Sequence, residues 1–234
     1  MMGAAWLIAA WFVVQPGAAA DLPEIVFERA SRSVVTVHSI DDAGRILARG
    51  SGVVMIKDVL VTNCHVVARG KQFLVGHSKR RLSARLVAYD AERDLCALDV
   101  QGLGAAPARV GDGKGLKVGQ RVYAIGTPEG FELTLSDGLI SGLRESDMGR
   151  YLQITAPISE GSSGGGLFDS AGRLIGIVSF SYSPGQNLNF AVPADRVVEL
   201  AKKAAVAQGE SSAGQLELPA KMTQQWRAPF LKQQ

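Results

Sequence analysis

A serine enclosed by glycines, in Glu160-Gly161-Ser162-Ser163-Gly164-Gly165-Gly166-Leu167-Phe168, is the segment of this chain best suited to covalent chemistry. Acyl transfer needs a hydroxyl on a tight turn, with backbone N–H groups aimed at the oxyanion that develops, and glycine allows such close approach. Ser163 is the candidate nucleophile, and the backbone N–H groups of Gly161 and Ser163 are the candidate oxyanion donors. Taken alone, the nonapeptide reads equally well as a flexible turn between two strands. A base and an orienting acid elsewhere in the chain decide between these readings.

His65 has the right setting for a base. It follows the strand-like Leu60-Val61-Thr62-Asn63, at a rigid edge where a short apolar helix begins. A neutral imidazole serves a serine best when a carboxylate holds its other nitrogen. Asp94 fits that need, because it opens the apolar run Leu95-Cys96-Ala97-Leu98, where a partly buried acid requires a dedicated partner. Asp90 and Asp99 are less well placed. His38 lies inside a strand and His77 in a basic turn, so both read as structural or exposed. A lone histidine or a lone Asp before a strand would be unremarkable, but together with Ser163 they make a nucleophile, a base and an acid.

Short runs rich in Val, Ile and Leu, bounded by Gly, Asp, Ser or Pro, must position these residues. The runs predict strands at 33–39, 52–56, 59–62, 72–76, 84–89 and 95–100, then at 121–125, 131–136, 138–143, 151–155, 165–168, 174–180 and 188–192. Such spacing belongs to barrels or sandwiches rather than to βαβ units, so the fold class is all-β. A Gly-rich stretch, 102–119, separates two halves: barrels at about 33–101 and 118–193. Residues 22–30 suit one amphipathic helix, and 194–207 carry apolar residues at helical spacing, predicting a C-terminal helix on a barrel. Residues 21–207 make the folded domain, and 208–234 read as a mobile or loosely docked tail.

The first twenty residues carry no charge, run apolar from Ala4 to Val14, and end in Ala18-Ala19-Ala20 before Asp21. That is the pattern of a secretory signal, expected at 1–20, and the run is about half of what a spanning helix needs. A periplasmic or secreted location follows, with no stable membrane span after cleavage. A net charge of +3 with scattered Lys and Arg, apart from Lys79-Arg80-Arg81, gives no reason to expect nucleic acid as a partner. Three scattered histidines and no Cys-x-x-Cys leave no metal site or cofactor fingerprint, so no cofactor and no metal are expected.

The order His65, Asp94, Ser163 is that of chymotrypsin, whereas subtilisins and α/β-hydrolases use other orders. The chain resembles the trypsin-like HtrA (Deg) proteases through Thr62-Asn63-Cys64-His65-Val66, Asp94-Leu95-Cys96-Ala97-Leu98 and Gly161-Ser162-Ser163-Gly164-Gly165. Val118 to Pro128, Ser136 to Ser141, 172–178 and 189–193 are similar to that family's second-barrel strands, so the resemblance spans about 25–200. It implies a chymotrypsin-like double β-barrel and a serine endopeptidase acting on polypeptides of the exported or extracellular space. Too few residues follow Leu200 for the PDZ domain that many members carry. The short segment 21–33 leaves little for N-terminal trimer contacts, and the oligomeric state stays open.

Cys64 and Cys96, the only two cysteines, stand where that family has small residues beside the base and the acid. If His65 and Asp94 meet, their neighbours lie close too, and an oxidising compartment favours a bridge over two buried thiols. The resemblance also places Pro157, six positions before the nucleophile, at the base of the primary specificity pocket. An uncharged residue there implies cleavage after small apolar side chains such as Val and Ala. Ser179, Phe180 and Ser181 would pair with substrate backbone, and Glu160 would border the pocket mouth. The competing readings are a catalytically silent protease-fold module that binds peptides, a secreted esterase, which lacks the Gly-x-Ser-x-Gly elbow context, and a structural envelope protein.

Overall fold

The computed structural model describes residues 22–128, 133–182, 187–209 and 216–219. The segment read as an export signal, 1–20, and most of the tail lie outside them. The described chain opens with α1 (Pro23–Ala30), whose Pro23 supplies a preset φ in the first turn, where its missing N–H costs nothing. A 3-10 turn follows, and then β1 (Val34–Ile40), β2 (Ile46–Ile56), β3 (Val59–Asn63), α2 (Cys64–Val67), β4 (Gln72–His77), β5 (Arg80–Asp90) and β6 (Leu95–Asp99). The second half holds β7 (Arg121–Gly126), β8 (Thr134–Ser146), β9 (Gly149–Ile154), β10 (Gly166–Phe168), β11 (Leu174–Ser181), β12 (Asn189–Pro193) and α3 (Ala194–Gly209). Each half closes into a six-stranded antiparallel barrel, in the orders β1-β2-β3-β6-β5-β4 and β10-β11-β12-β9-β8-β7. Closure pairs the edges of both halves along most of their length, the end of β11 past the β10 pairing excepted. The all-β double barrel with a C-terminal helix is therefore the observed architecture.

Alternation along the strands builds three apolar layers rather than two. In β3, Leu60 points into the first barrel with Val37, Val54, Val75, Leu86 and Leu98. Its neighbours Val59 and Val61 point the other way, into a layer shared with Ile125, Phe168, Ile177, Val197 and Leu200 from the second half and α3. Leu167 and Phe168 of β10 divide likewise, Leu167 into the second barrel's interior with Val122, Ile140 and Leu152, and Phe168 into the shared layer. Strands buried on both faces read as continuous apolar runs, which is why these stretches lack polar alternation. Each such side chain contributes about 1.5–3 kcal/mol by leaving water, so the shared layer is a main source of cohesion between the halves.

The 102–119 stretch is tied to both barrels. The Ala108 N–H donates to Val54 O of β2 at 2.8 Å, while Leu174 N–H donates to Arg109 O at 2.7 Å and Gly111 N–H donates to Leu174 O at 2.8 Å.

Two local readings change, and one of two alternatives for the tail is seen in part of it. The strands expected at 131–136 and 138–143 are one strand, β8, bent at a bulge between Ile140 and Gly142, with 131–132 outside the described residues. Asp137, left between the two expected strands, pairs with Tyr123 in the ladder, and Gly138 marks a close approach, since a Cβ there would lie 2.3 Å from Ala156 N. Arg80 and Arg81 belong to β5, not to a turn. In the tail, read as mobile or loosely docked, Leu216 N–H donates to Leu86 O at 3.3 Å and Leu218 packs on the first barrel's core, so the described stretch 216–219 takes the docked alternative.

Candidate active site in the cleft between the barrels

The first barrel delivers His65 and Asp94 from adjacent strands. β3 and β6 pair with Asn63 opposite Leu95 and Thr62 opposite Cys96, so the residues just past the end of β3 meet those just before β6. Asp94 is 5% exposed and has a left-handed φ of 58°, a conformation that Asp tolerates better than most side chains. That turn aims the carboxylate at α2. Asp94 Oδ2 lies 2.6 Å from His65 Nδ1, and Oδ1 accepts the His65 backbone N–H at 2.9 Å. Ser179 Oγ donates to the same Oδ2 at 3.2 Å, so three protein groups surround the acid. Its backbone carbonyl accepts Cys64 N–H at 3.1 Å and Asn63 Nδ2 at 2.9 Å. Asp90 and Asp99 are engaged elsewhere, with Arg93 and with Arg85.

A disulfide joins Cys64 to Cys96 across this pair of strands, with the Cα atoms 4.9 Å apart. It brackets His65 and Asp94: one cysteine precedes His65 and the other follows Asp94 by two residues. Tyr151, which feels the Asp94 charge, belongs to an aromatic cluster in which Phe180 stacks on Phe190 at 5.0 Å and meets Tyr151 edge-on at 5.9 Å. Burial, and then the Asp94 carboxylate, push the Tyr151 phenol up to about 12, so it stays neutral beside the acid.

The second barrel delivers Ser163 on the loop between β9 and β10. Gly161 at φ 92° and Gly164 at φ 83° form its two left-handed corners. A Cβ on Gly164 would sit 2.0 Å from Ser51 O and 2.4 Å from Thr62 Oγ1, so no other residue fits that corner. Among the described residues the N–H groups of Gly161 and Ser163 have no hydrogen-bond partner. Ser163 Oγ donates to Ser179 O at 3.1 Å, and His65, Gly161 and Ser163 line one open cleft of about 370 Å³.

Ser51 of β2 holds this loop from across the domain, a role that no sequence feature announced. Its N–H donates to Ser163 O at 2.8 Å and its hydroxyl donates to Gly161 O at 2.8 Å, while Thr127 N–H donates back to that hydroxyl at 2.9 Å. Thr62 Oγ1 donates to Ser51 O at 2.6 Å. A serine flanked by glycines in a strand interior looks like any other, and the loop and Thr127 that it binds lie more than seventy residues away in the chain.

The residues expected to bind substrate are dispersed around the cleft. Glu160 lines it. Ser179 is buried, Phe180 half-buried and Ser181 exposed along the end of β11. There β12 pairs with one edge through Phe180 opposite Phe190, while among the described strands β10 reaches only Gly166 opposite Ile177 on the other edge. Pro157 is exposed, does not line this cleft, and has its carbonyl occupied by Ser136 Oγ at 2.6 Å.

Residues 50–177 match the trypsin-like peptidase domain. The anti-sigma-I factor RsgI9 of Acetivibrio thermocellus is 32% identical over 191 residues, covering 77% of this chain and 27% of its own. A probable periplasmic serine endoprotease, DegP-like, of Pseudomonas putida is 36% identical over 163 residues, covering 66% of this chain and 34% of its own. The chain thus spans about a quarter to a third of the length of these relatives. The crystal structure of the serine endoprotease from Yersinia pestis superposes with a TM-score of 0.70 at 30% identity, covering 77% of this chain and 65% of that one. With two closed barrels and a match across more than half its length, the chain belongs to the trypsin-like peptidase family and resembles its DegP/HtrA members.

Proposed function

We propose that this chain is a serine endopeptidase that cleaves exported or extracellular polypeptides through an acyl-enzyme. The observation that carries the reading is the 2.6 Å contact between His65 Nδ1 and Asp94 Oδ2, beside a cleft that His65 shares with Ser163. Asp94 holds the proton on Nδ1 and leaves Nε2 as the basic nitrogen. Ser163 Oγ leaves Ser179 O by rotation about χ1, passes its proton to His65 Nε2 and bonds to the substrate carbonyl carbon. The carbonyl oxygen becomes the oxyanion, and the N–H groups of Gly161 and Ser163 point to it. When the intermediate collapses, the C–N bond breaks and the amine leaves with the proton from His65. Water then attacks the ester, again through His65, releasing the acid and restoring Ser163.

The end of β11 past its pairing with β10, at Ser179 to Ser181, is the edge along which residues before the scissile bond add as a strand. No acid stands at Pro157, so small apolar residues such as Val or Ala are the substrates favoured there. A signal over 1–20 would place the enzyme in the periplasm or outside the cell. No described helix is long and apolar enough to cross a membrane.

A second reading, a peptide-binding module without turnover, is favoured by one observation, the Ser163 hydroxyl held by Ser179 O. A fluorophosphonate probe separates the two, with the labelled site read by mass spectrometry. Labelling at Ser163, absent in Ser163→Ala, supports the endopeptidase. A folded protein that stays unlabelled with and without added peptides supports the binding module.

A further inference from the structure

The cleft that His65 and Ser163 share is walled by Ala48, Arg49, Val66 and Arg69 on the first barrel and by Glu160 and Gly161 on the second. No residue of β11 lines it, so it lies on the side of Ser163 away from the edge offered to residues before the scissile bond. That is the side on which the leaving amine and the residues after it must sit.

Two of its cations, like Arg80, Arg81, Arg109 and Arg144 elsewhere, have no carboxylate partner among the described residues, but only these two line the cleft. Arg32, Arg45, Arg85, Arg93, Arg121, Arg150, Arg173 and Arg196 each pair with an Asp or Glu. Among the described residues, Arg49 and Arg69 have no such partner, and Glu160 on the facing wall has none either. Both arginines are exposed, and with Glu160 they leave the wall a net positive charge.

The positive character continues beyond the cleft. Arg49 stands directly opposite His38 on β1, and Arg81 on β5 is opposite Gly76, which is opposite Thr36 two residues along β1. Strand periodicity puts Arg49, His38 and Arg81 on one outer face of the barrel. Burial, and then the Arg81 and Arg49 charges, lower the basicity of His38, as neighbouring cations must.

We propose that Arg49 and Arg69 select acidic side chains in the residues that follow the scissile bond, with the His38–Arg81 face extending that preference outward. This rests on the endopeptidase reading. A guanidinium presents a planar fork to a carboxylate, and an unpaired one in a cleft gains a partner only when the substrate supplies it. Glu160 opposes that attraction from the other wall and repels a carboxylate that strays toward Gly161.

The test compares quenched fluorescent peptides that share one sequence before the scissile bond and carry Asp or Lys at the second and third positions after it. Acidic peptides should be cleaved about three- to tenfold faster at low salt, with the gap closing near about 0.5 M salt, as expected for exposed ion pairs. Arg49→Glu with Arg69→Glu should raise the rate on the Lys peptide above that of the native protein, a gain that a damaged fold does not produce. Equal rates on the two peptides, or no gain for the Lys peptide in the double variant, overturn the inference while leaving the endopeptidase standing. If neither peptide is cut and Ser163 is unlabelled, the endopeptidase reading fails. Fluorescence anisotropy then decides the charge preference: tighter binding of the acidic peptide supports it, and equal binding overturns it.

Discussion

The two halves of the cleft are held by different means. On the first-barrel side, His65 and Asp94 sit at the ends of paired strands, are bracketed by the Cys64–Cys96 disulfide, and are further fixed by Asn63, Ser179 and the backbone of α2. On the second-barrel side, Ser163 rides on a glycine loop whose own side chains contribute little. That loop takes its shape from left-handed corners and from Ser51, which reaches it from the other barrel. The contrast shows where the site is stiff and where it can yield: His65 and Asp94, the proposed base and acid, are braced covalently, and Ser163 and Gly161, the proposed nucleophile and oxyanion donors, are braced only by hydrogen bonds. It also explains why Ser51, Thr62 and Thr127 belong to the site although none of them faces substrate.

Removing the charge that orients the base should give the largest effect. Asp94→Asn favours the wrong imidazole tautomer and is expected to lower kcat by about 10⁴-fold with the fold intact, as read by peptide hydrolysis beside circular dichroism. Next comes the covalent brace. Cys64→Ser with Cys96→Ser reopens a loop of 32 residues and should lower stability by about 3–4 kcal/mol in denaturant unfolding. The folded fraction should keep most of its Ser163 labelling rate, because Cys64 N–H and Asn63 Nδ2 still hold Asp94 O.

Ser51→Ala should do the reverse, costing about 1–3 kcal/mol while reducing labelling per folded molecule more than loss of the disulfide does. It strips Gly161 O and Thr127 N–H of their shared partner. If the disulfide variant loses more labelling than Ser51→Ala, the two halves are not braced as described. The smallest effect concerns Tyr151. A phenol raised in the fold to about 12 contributes stability that is fully present below its unfolded value near 10 and is lost as pH rises through about 12. Tyr151→Phe should therefore flatten part of the alkaline loss of stability in that window, measured by urea unfolding at stepped pH.

Local context made His65, Asp94 and Ser163 legible, because each sits where an apolar strand meets a polar or glycine turn, and that junction is visible in a few residues of sequence. The barrels were legible for the same reason. Ser51 and Thr127 were not, because their meaning lies in hydrogen bonds that span 76 residues and leave no mark on their neighbours. Asp137 misled in the opposite direction: an acid between two apolar runs reads as a break, yet it pairs with Tyr123 inside the β7–β8 ladder. Pro157 was placed by resemblance alone, and resemblance does not convey that the position is open to solvent.

The chain ends of this domain are crossed. α1 precedes the first barrel yet packs against β7 of the second, and α3 follows the second barrel yet lies across β3, β5 and β6 of the first. Val26 and Ala30 of α1 and Val197, Leu200 and Ala204 of α3 all enter the layer between the barrels. Neither barrel can leave the other without unclasping a helix that belongs to the opposite half. The folding unit is therefore the whole domain: the barrels should melt in a single transition, and synthesis must run through α3 before the first barrel gains its full cover. A nascent chain stopped short of residue 194 would expose the apolar faces of β3 and β6, making the unfinished protein a client for chaperones until its last helix arrives.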